Sequence, residues 1–96
     1  MRRCCLVCYD IREPKRLRFI HKMLRGYGEP WQYSVFFCSL KDIDRVRLQA
    51  DLEERMNLNE DRAIILDLGS NEKQAREAVA VIGQPLPEQE SGFVVV

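Results

Sequence analysis

Arg3-Cys4-Cys5-Leu6-Val7-Cys8-Tyr9 is a nearly continuous apolar, β-prone run that stops at Asp10. An unbroken run of this kind is what a central strand covered on both faces requires, whereas a strand with one wet face alternates. It predicts a buried strand with a carboxylate, Asp10, at the point where the chain leaves the sheet. Cys5 and Cys8 fit the bare C-x-x-C pattern of zinc or redox sites. On a strand, however, residues three apart point to opposite faces, so these two thiols cannot converge on one metal without breaking it. Cys4 and Cys8 share a face but lie roughly 13 Å apart by strand rise. Together with Cys38 they read as reduced core thiols, which suits a reducing cytosol.

Outward from that strand, Glu13-Pro14 opens a helix, with proline suited to the first turn. Leu17, Ile20, Leu24 and Tyr27 recur at helical spacing, widened by Phe19 and Met23. Gly26 and Gly28 are expected to end it. Glu29 to Leu40 reads as extended, either one long strand or two short ones joined by a kink. Ser39-Leu40-Lys41-Asp42 resembles a capping box for a second helix. That helix is expected to send Ile43, Val46, Leu48, Ala50, Leu52 and Met56 to the core. Arg62 to Leu68 is the next strand, ended by Gly69-Ser70-Asn71. The order is β-α-β(β)-α-β, which predicts an α+β, ferredoxin-like βαββαβ fold with an antiparallel sheet. Glu72 to Ala80 suits a short helix, residues 83–92 a loop, and Phe93-Val94-Val95-Val96 a short extra C-terminal strand added to a sheet edge.

Ninety-six residues suffice for one domain, with a core over about 1–70 and an extension over about 71–96. So short a chain buries only about two-thirds of its unfolded surface, and a dimer interface would add burial. No apolar run is long enough to span a membrane, and the N-terminus lacks a signal-peptide pattern. The formal net charge of zero conceals a polarity: residues 1–30 carry eight Lys/Arg against three acids, and the remainder seven against twelve. Arg12, Lys15, Arg16, Arg18, Lys22 and Arg25 form the candidate phosphate-binding stripe, set against the plainer reading of a solvated helix face.

Asp10 is the residue whose position invites catalysis. A strand-end carboxylate is a hard oxygen ligand, but Mg²⁺ favours near-octahedral coordination and one Asp supplies too little. A two-fold axis joining Asp10 from two subunits would make the site credible; the plain alternative is a helix N-cap or turn residue. His21 reads as a helix-surface or partly buried imidazole, and no second histidine exists for a paired-His site. Trp31, Tyr33 and Phe36 are aromatic enough to stack on bases, although most aromatics in so small a domain belong to the core.

Tyr9-Asp10-Ile11, the basic helix running to Tyr27-Gly28, and Gln32-Tyr33-Ser34-Val35-Phe36 together resemble the CRISPR-associated protein 2 family. Leu68-Gly69, Ile82-Gly83 and the apolar tail are similar to members as well. The resemblance implies a ferredoxin-like homodimer whose sheets face each other and whose C-terminal strand pairs with the partner's sheet. It implies a cytoplasmic role in acquiring spacers for prokaryotic antiviral immunity, bridging dimers of the integrase, CRISPR-associated protein 1, and holding DNA. Many members are Mg²⁺-dependent endonucleases on RNA or DNA, which assigns Asp10 as metal ligand and catalytic residue and puts Tyr9, Ser34 and Phe36 near the cleft. The alternative is an architectural scaffold that never cuts. Pro30 stands where members often carry arginine, and Leu17 and Phe19 where some are basic.

Overall fold

A computed structural model describes residues 1–87; the expected C-terminal strand at 93–96 lies outside them. In chain order the elements are β1 (Arg2–Asp10), α1 (Pro14–Leu24), β2 (Glu29–Gln32), β3 (Val35–Lys41), α2 (Asp42–Arg55), β4 (Arg62–Gly69) and α3 (Glu72–Glu77). The strands form one antiparallel sheet in the order β2-β3-β1-β4, the ferredoxin-like plan. The apolar β1 run occupies a central position between β3 and β4. The extended stretch resolves into a hairpin, β2 and β3, turning at Tyr33-Ser34.

The two faces of β1 meet different partners, the first along its length and the second only in part. Cys5, Val7, Tyr9 and Ile11 join Phe36, Cys38 and Leu40 against Ile20, Leu24, Leu48 and Leu52 of α1 and α2. Cys4 on the opposite face packs with Trp31, Phe37 and Ala75 of α3, flanked by Leu6, Val35, Val79 and Leu86. Cys5 and Cys8 therefore point to opposite sides, and all four cysteines are free thiols. On the α3 side Trp31 stacks on Phe37 at 4.7 Å, and the Arg76 guanidinium lies 4.4 Å from the Phe37 ring centre while pairing with Glu29 and Glu72. That cation–π contact and the ion pair to Glu29 of β2 hold the short α3 onto the sheet, while Glu72, on α3 itself, orients the guanidinium.

Three local expectations are corrected. Ser39 stays inside β3, opposite Cys4, and the N-cap of α2 is Lys41 with no side-chain bond; Asp42 and Asp44 in the first turn complement the helix dipole instead. Ile43, Val46 and Ala50 are exposed, since α2 lies over β3 and leaves the flank of edge strand β4 open. Val46, Ala50 and Ile65 consequently line a groove of about 600 Å³. Gly26 and Gly28 do not end α1 through left-handed backbone: the C-cap is Arg25 in right-handed conformation. Gly28 is needed for a different reason, because a Cβ there would collide with the Phe37 carbonyl and the Cys38 Sγ. Among the described residues no helix is long and apolar enough to cross a membrane.

Candidate nucleic-acid interface and strand-end aspartate

Tyr9 and Asp10 are adjacent on β1, so the pleat sends their side chains to opposite faces. Tyr9 is buried beneath α1, where its Oη donates to the Tyr33 carbonyl at 3.0 Å and lies 3.0 Å from His21 Nδ1. The hydroxyl has one proton and a carbonyl can only accept. Tyr9 Oη therefore accepts from His21 Nδ1–H, which fixes the neutral imidazole as the Nδ1–H tautomer. Burial, with a smaller contribution from Tyr33, pushes the Tyr9 phenol up to about 12. It stays protonated at physiological pH and acts as a positioning group for the β2–β3 turn. That turn is tied to β1 a second time, by the Tyr9 N–H donating to the Ser34 carbonyl at 3.1 Å.

Asp10 is exposed and stands opposite Arg62 of β4. Along the same face follow the cross-strand pairs Cys8–Ile64 and Leu6–Leu66. Ile64 and Leu66 remain 56% and 53% exposed, because α3 covers the Trp31–Phe37 half of this face and leaves the β4 half open. Asp10 thus marks the rim of an uncovered apolar surface. Among the described residues its side chain enters no hydrogen bond or ion pair, and no three His, Cys, Asp or Glu side chains gather as a ready metal cage.

The loop after Asp10 is held by a residue that sequence reading missed. The Asp61 carboxylate, its side chain fully covered, accepts from Arg16 Nε at 2.6 Å and Nη2 at 3.0 Å, from the Arg12 N–H at 2.9 Å and from the Asn57 N–H at 2.9 Å. The Arg16 bond, then those two backbone donors, hold this carboxyl far below the ordinary range. Asp61 lies 45 residues from Arg16, at a helix-to-strand connection, and no local pattern signals their meeting.

Glu13, not Asp10, caps α1: its carboxylate accepts from the Lys15 and Arg16 N–H groups at 3.1 and 2.7 Å, and these bonds lower its pKa. The six basic residues therefore divide. Arg16 is committed to Asp61 and Glu60, whereas Arg12, Lys15, Arg18, Lys22 and Arg25 are exposed and, among the described residues, outside any ion pair. The motif aromatics divide too. Phe36 is fully buried, edge-on to His21 at 5.1 Å between ring centres, and Trp31 is buried on Phe37. Ser34 is half-buried in the turn, and Tyr33 beside it is 76% exposed.

A four-stranded ferredoxin-like sheet with an acidic strand end and a basic first helix defines the class of small α+β domains to which this chain is assigned. Residues 2–76 match the family model described as CRISPR associated protein Cas2. The chain belongs to that family. It is 39% identical over 79 residues to the CRISPR-associated endoribonuclease Cas2 of Geobacter sulfurreducens, covering 82% of each chain. Among solved structures it is similar to Streptococcus pyogenes Cas2 (TM-score 0.73, 29% identity, 83% of this chain and 99% of that one). It is also similar to a chain of a partial Cas6-RT-Cas1–Cas2 complex (TM-score 0.62, 25% identity, 90% and 98%).

Proposed function

We propose that this protein is a cytoplasmic CRISPR adaptation subunit that binds nucleic acid as a homodimer and bridges dimers of the Cas1 integrase. In this reading it also cleaves phosphodiester bonds of RNA or DNA with Mg²⁺ at Asp10. The observation that carries the reading is the position of Asp10: exposed, unpaired among the described residues, and at the edge of the apolar sheet half that α3 leaves bare. A second copy packed on Ile64 and Leu66 about a two-fold axis would cover that surface and bring a second Asp10 towards the first. The names of the relatives support the nuclease assignment, and the similarity to a chain of a Cas1-containing complex supports the integrase partner.

The residues present fit a divalent cation only as a shared site. At this strand end, among the described residues, one chain offers one free carboxylate of hard oxygen, while nearby Asp61 is saturated by its four hydrogen bonds. Two Asp10 carboxylates, with water and phosphate oxygens, would supply a suitable donor set. A cation held there offsets phosphate charge and lowers the pKa of a bound water. The chain's own residues do the rest: the Arg16–Asp61 clamp and the Glu13 cap fix the segment after Asp10, and the exposed residues of the first helix hold phosphates without reading bases.

Arg62 stands in cross-strand register with Asp10 without pairing to it, and a cation in that position favours the scaffold reading because it would compete with a metal. Asp10→Asn separates the two. Loss of Mg²⁺-dependent cleavage by the purified dimer, with duplex affinity retained, supports the enzyme. Wild-type protein that never cleaves, together with an Asp10→Asn variant that still supports spacer integration, leaves the scaffold.

A further inference from the structure

Of the aromatics that could meet a base, Tyr33 alone among Trp31, Tyr33 and Phe36 is out of the core, at 76% exposure. An exposed ring on a loose turn would mean little. Here the backbone beneath it is pinned twice, by the Tyr9 hydroxyl on the Tyr33 carbonyl and by the Tyr9 N–H on the Ser34 carbonyl, at 3.0 and 3.1 Å. Tyr33 forms one wall of an open cleft of about 220 Å³ whose other walls are Tyr9, Leu17, Arg18 and His21. That is less than the roughly 300–1,000 Å³ of sites for drug-sized ligands, and suits one planar ring.

The chemistry of the walls is that of a nucleotide site. Tyr33 and Leu17 offer apolar surface to a base. Arg18, exposed and among the described residues outside any ion pair, offers a fork-shaped cation to the phosphate attached to it. His21 has its Nδ1 occupied by Tyr9, so Nε2 is the ring atom left to hydrogen-bond the edge of a base. The cleft opens beside the exposed basic residues of α1, on the helix side of the same sheet end whose other side carries Asp10. We infer that Tyr33, Arg18 and His21 form a subsite for one unpaired nucleotide, with its base stacked on Tyr33 and its phosphate on Arg18. Such a subsite would let the protein distinguish a strand that leaves a duplex from one that continues in it. A base inside a duplex has no free face to offer.

The inference rests on the nucleic-acid reading above, and the test separates the two. Binding of a blunt duplex is compared with that of the same duplex carrying a short single-stranded 3′ overhang, with 2-aminopurine as the first unpaired base. Stacking strengths predict about tenfold tighter binding of the overhang form by the wild type, with quenching of 2-aminopurine fluorescence. Tyr33→Ala should erase that advantage and the quenching while blunt-duplex affinity is unchanged; Tyr33→Trp should keep both, and Arg18→Ala should reduce the advantage. An overhang advantage that survives Tyr33→Ala, or that the wild type never shows while binding blunt duplex, overturns the subsite. A wild type that binds neither substrate at low salt overturns the nucleic-acid reading itself.

Discussion

Arg16 grips Asp61 with two parallel bonds, Nε to Oδ2 at 2.6 Å and Nη2 to Oδ1 at 3.0 Å, so a residue of the basic stripe serves the fold. The pair joins the first turn of α1 to the start of β4, and Asp61 also receives the N–H of Arg12, two residues beyond Asp10. Asp61→Asn should destabilise the protein, since it removes the charge partner and weakens two backbone bonds; each donor left unpaired costs about 1–3 kcal/mol. The pH dependence has a definite sign. The folded carboxyl lies well below its unfolded value, so its stabilisation is present above that value, about 3.9, and is lost as pH falls towards the folded pKa. Thermal melts of wild type and Asp61→Asn should therefore differ most near neutrality and converge as the pH drops below about 4.

The exposed stripe behaves differently. Lys15, Lys22 and Arg25 are solvated, so reversing all three to Glu should leave the melting temperature nearly unchanged while weakening duplex binding severely. Each neutralised phosphate adds about 0.9 to the slope of log affinity against log salt, so the slope should become shallower by about one for each phosphate that a protomer no longer neutralises. Affinity titrations from about 50 to about 200 mM salt measure this, and an unchanged slope would show that the stripe is merely solvated. Arg16→Glu is the contrasting variant: its loss of binding should be accompanied by loss of folding.

What the sequence disclosed follows from locality. The apolar β1 run, the Glu13-Pro14 start and the Arg62 to Leu68 strand are local patterns, and the structure reproduces them. Asp10 at the strand end was legible for the same reason. Asp61 was not, because its hydrogen-bond donors come from Arg12, Arg16 and Asn57, and no spacing rule links them. The outward turn of Val46 and Ala50 was equally hidden: their helical spacing matches Leu48 and Leu52, and only the position of β4 at the sheet edge decides that nothing covers them. Among Trp31, Tyr33 and Phe36, alternation alone could not show that Tyr33 falls in the turn and escapes the core.

Gly28 tests the packing of the hairpin on α1. Its backbone approaches β3 so closely that an added Cβ would strike the Phe37 carbonyl and come within 2.6 Å of the Cys38 Sγ. The carbonyl belongs to a central ladder and cannot easily give way. Gly28→Ala should destabilise by about 1–3 kcal/mol, the usual range for overpacking, although alanine is otherwise the better residue near a helix end. Chemical denaturation measures it. A neutral result would mean that β2 can slide on β3 at the irregularity between Pro30 and Gln32.

Ile64 and Leu66 decide whether two chains are needed. They share a sheet face with Asp10 and keep more than half of their surface in solvent. Burying the exposed half of each side chain against a second copy would contribute about 1–1.5 kcal/mol to association, and a charge placed there would reverse the sign. Ile64→Glu combined with Leu66→Glu should yield a folded monomer by sedimentation, since neither residue belongs to the α1–α2 core. If two Asp10 carboxylates share one cation, that monomer should lose Mg²⁺-dependent cleavage with Asp10 intact, while each chain's exposed Lys15, Lys22 and Arg25 still bind duplex weakly. Retained cleavage by a verified monomer would remove the shared-cation geometry. A double variant that remains dimeric would place the interface elsewhere on the fold.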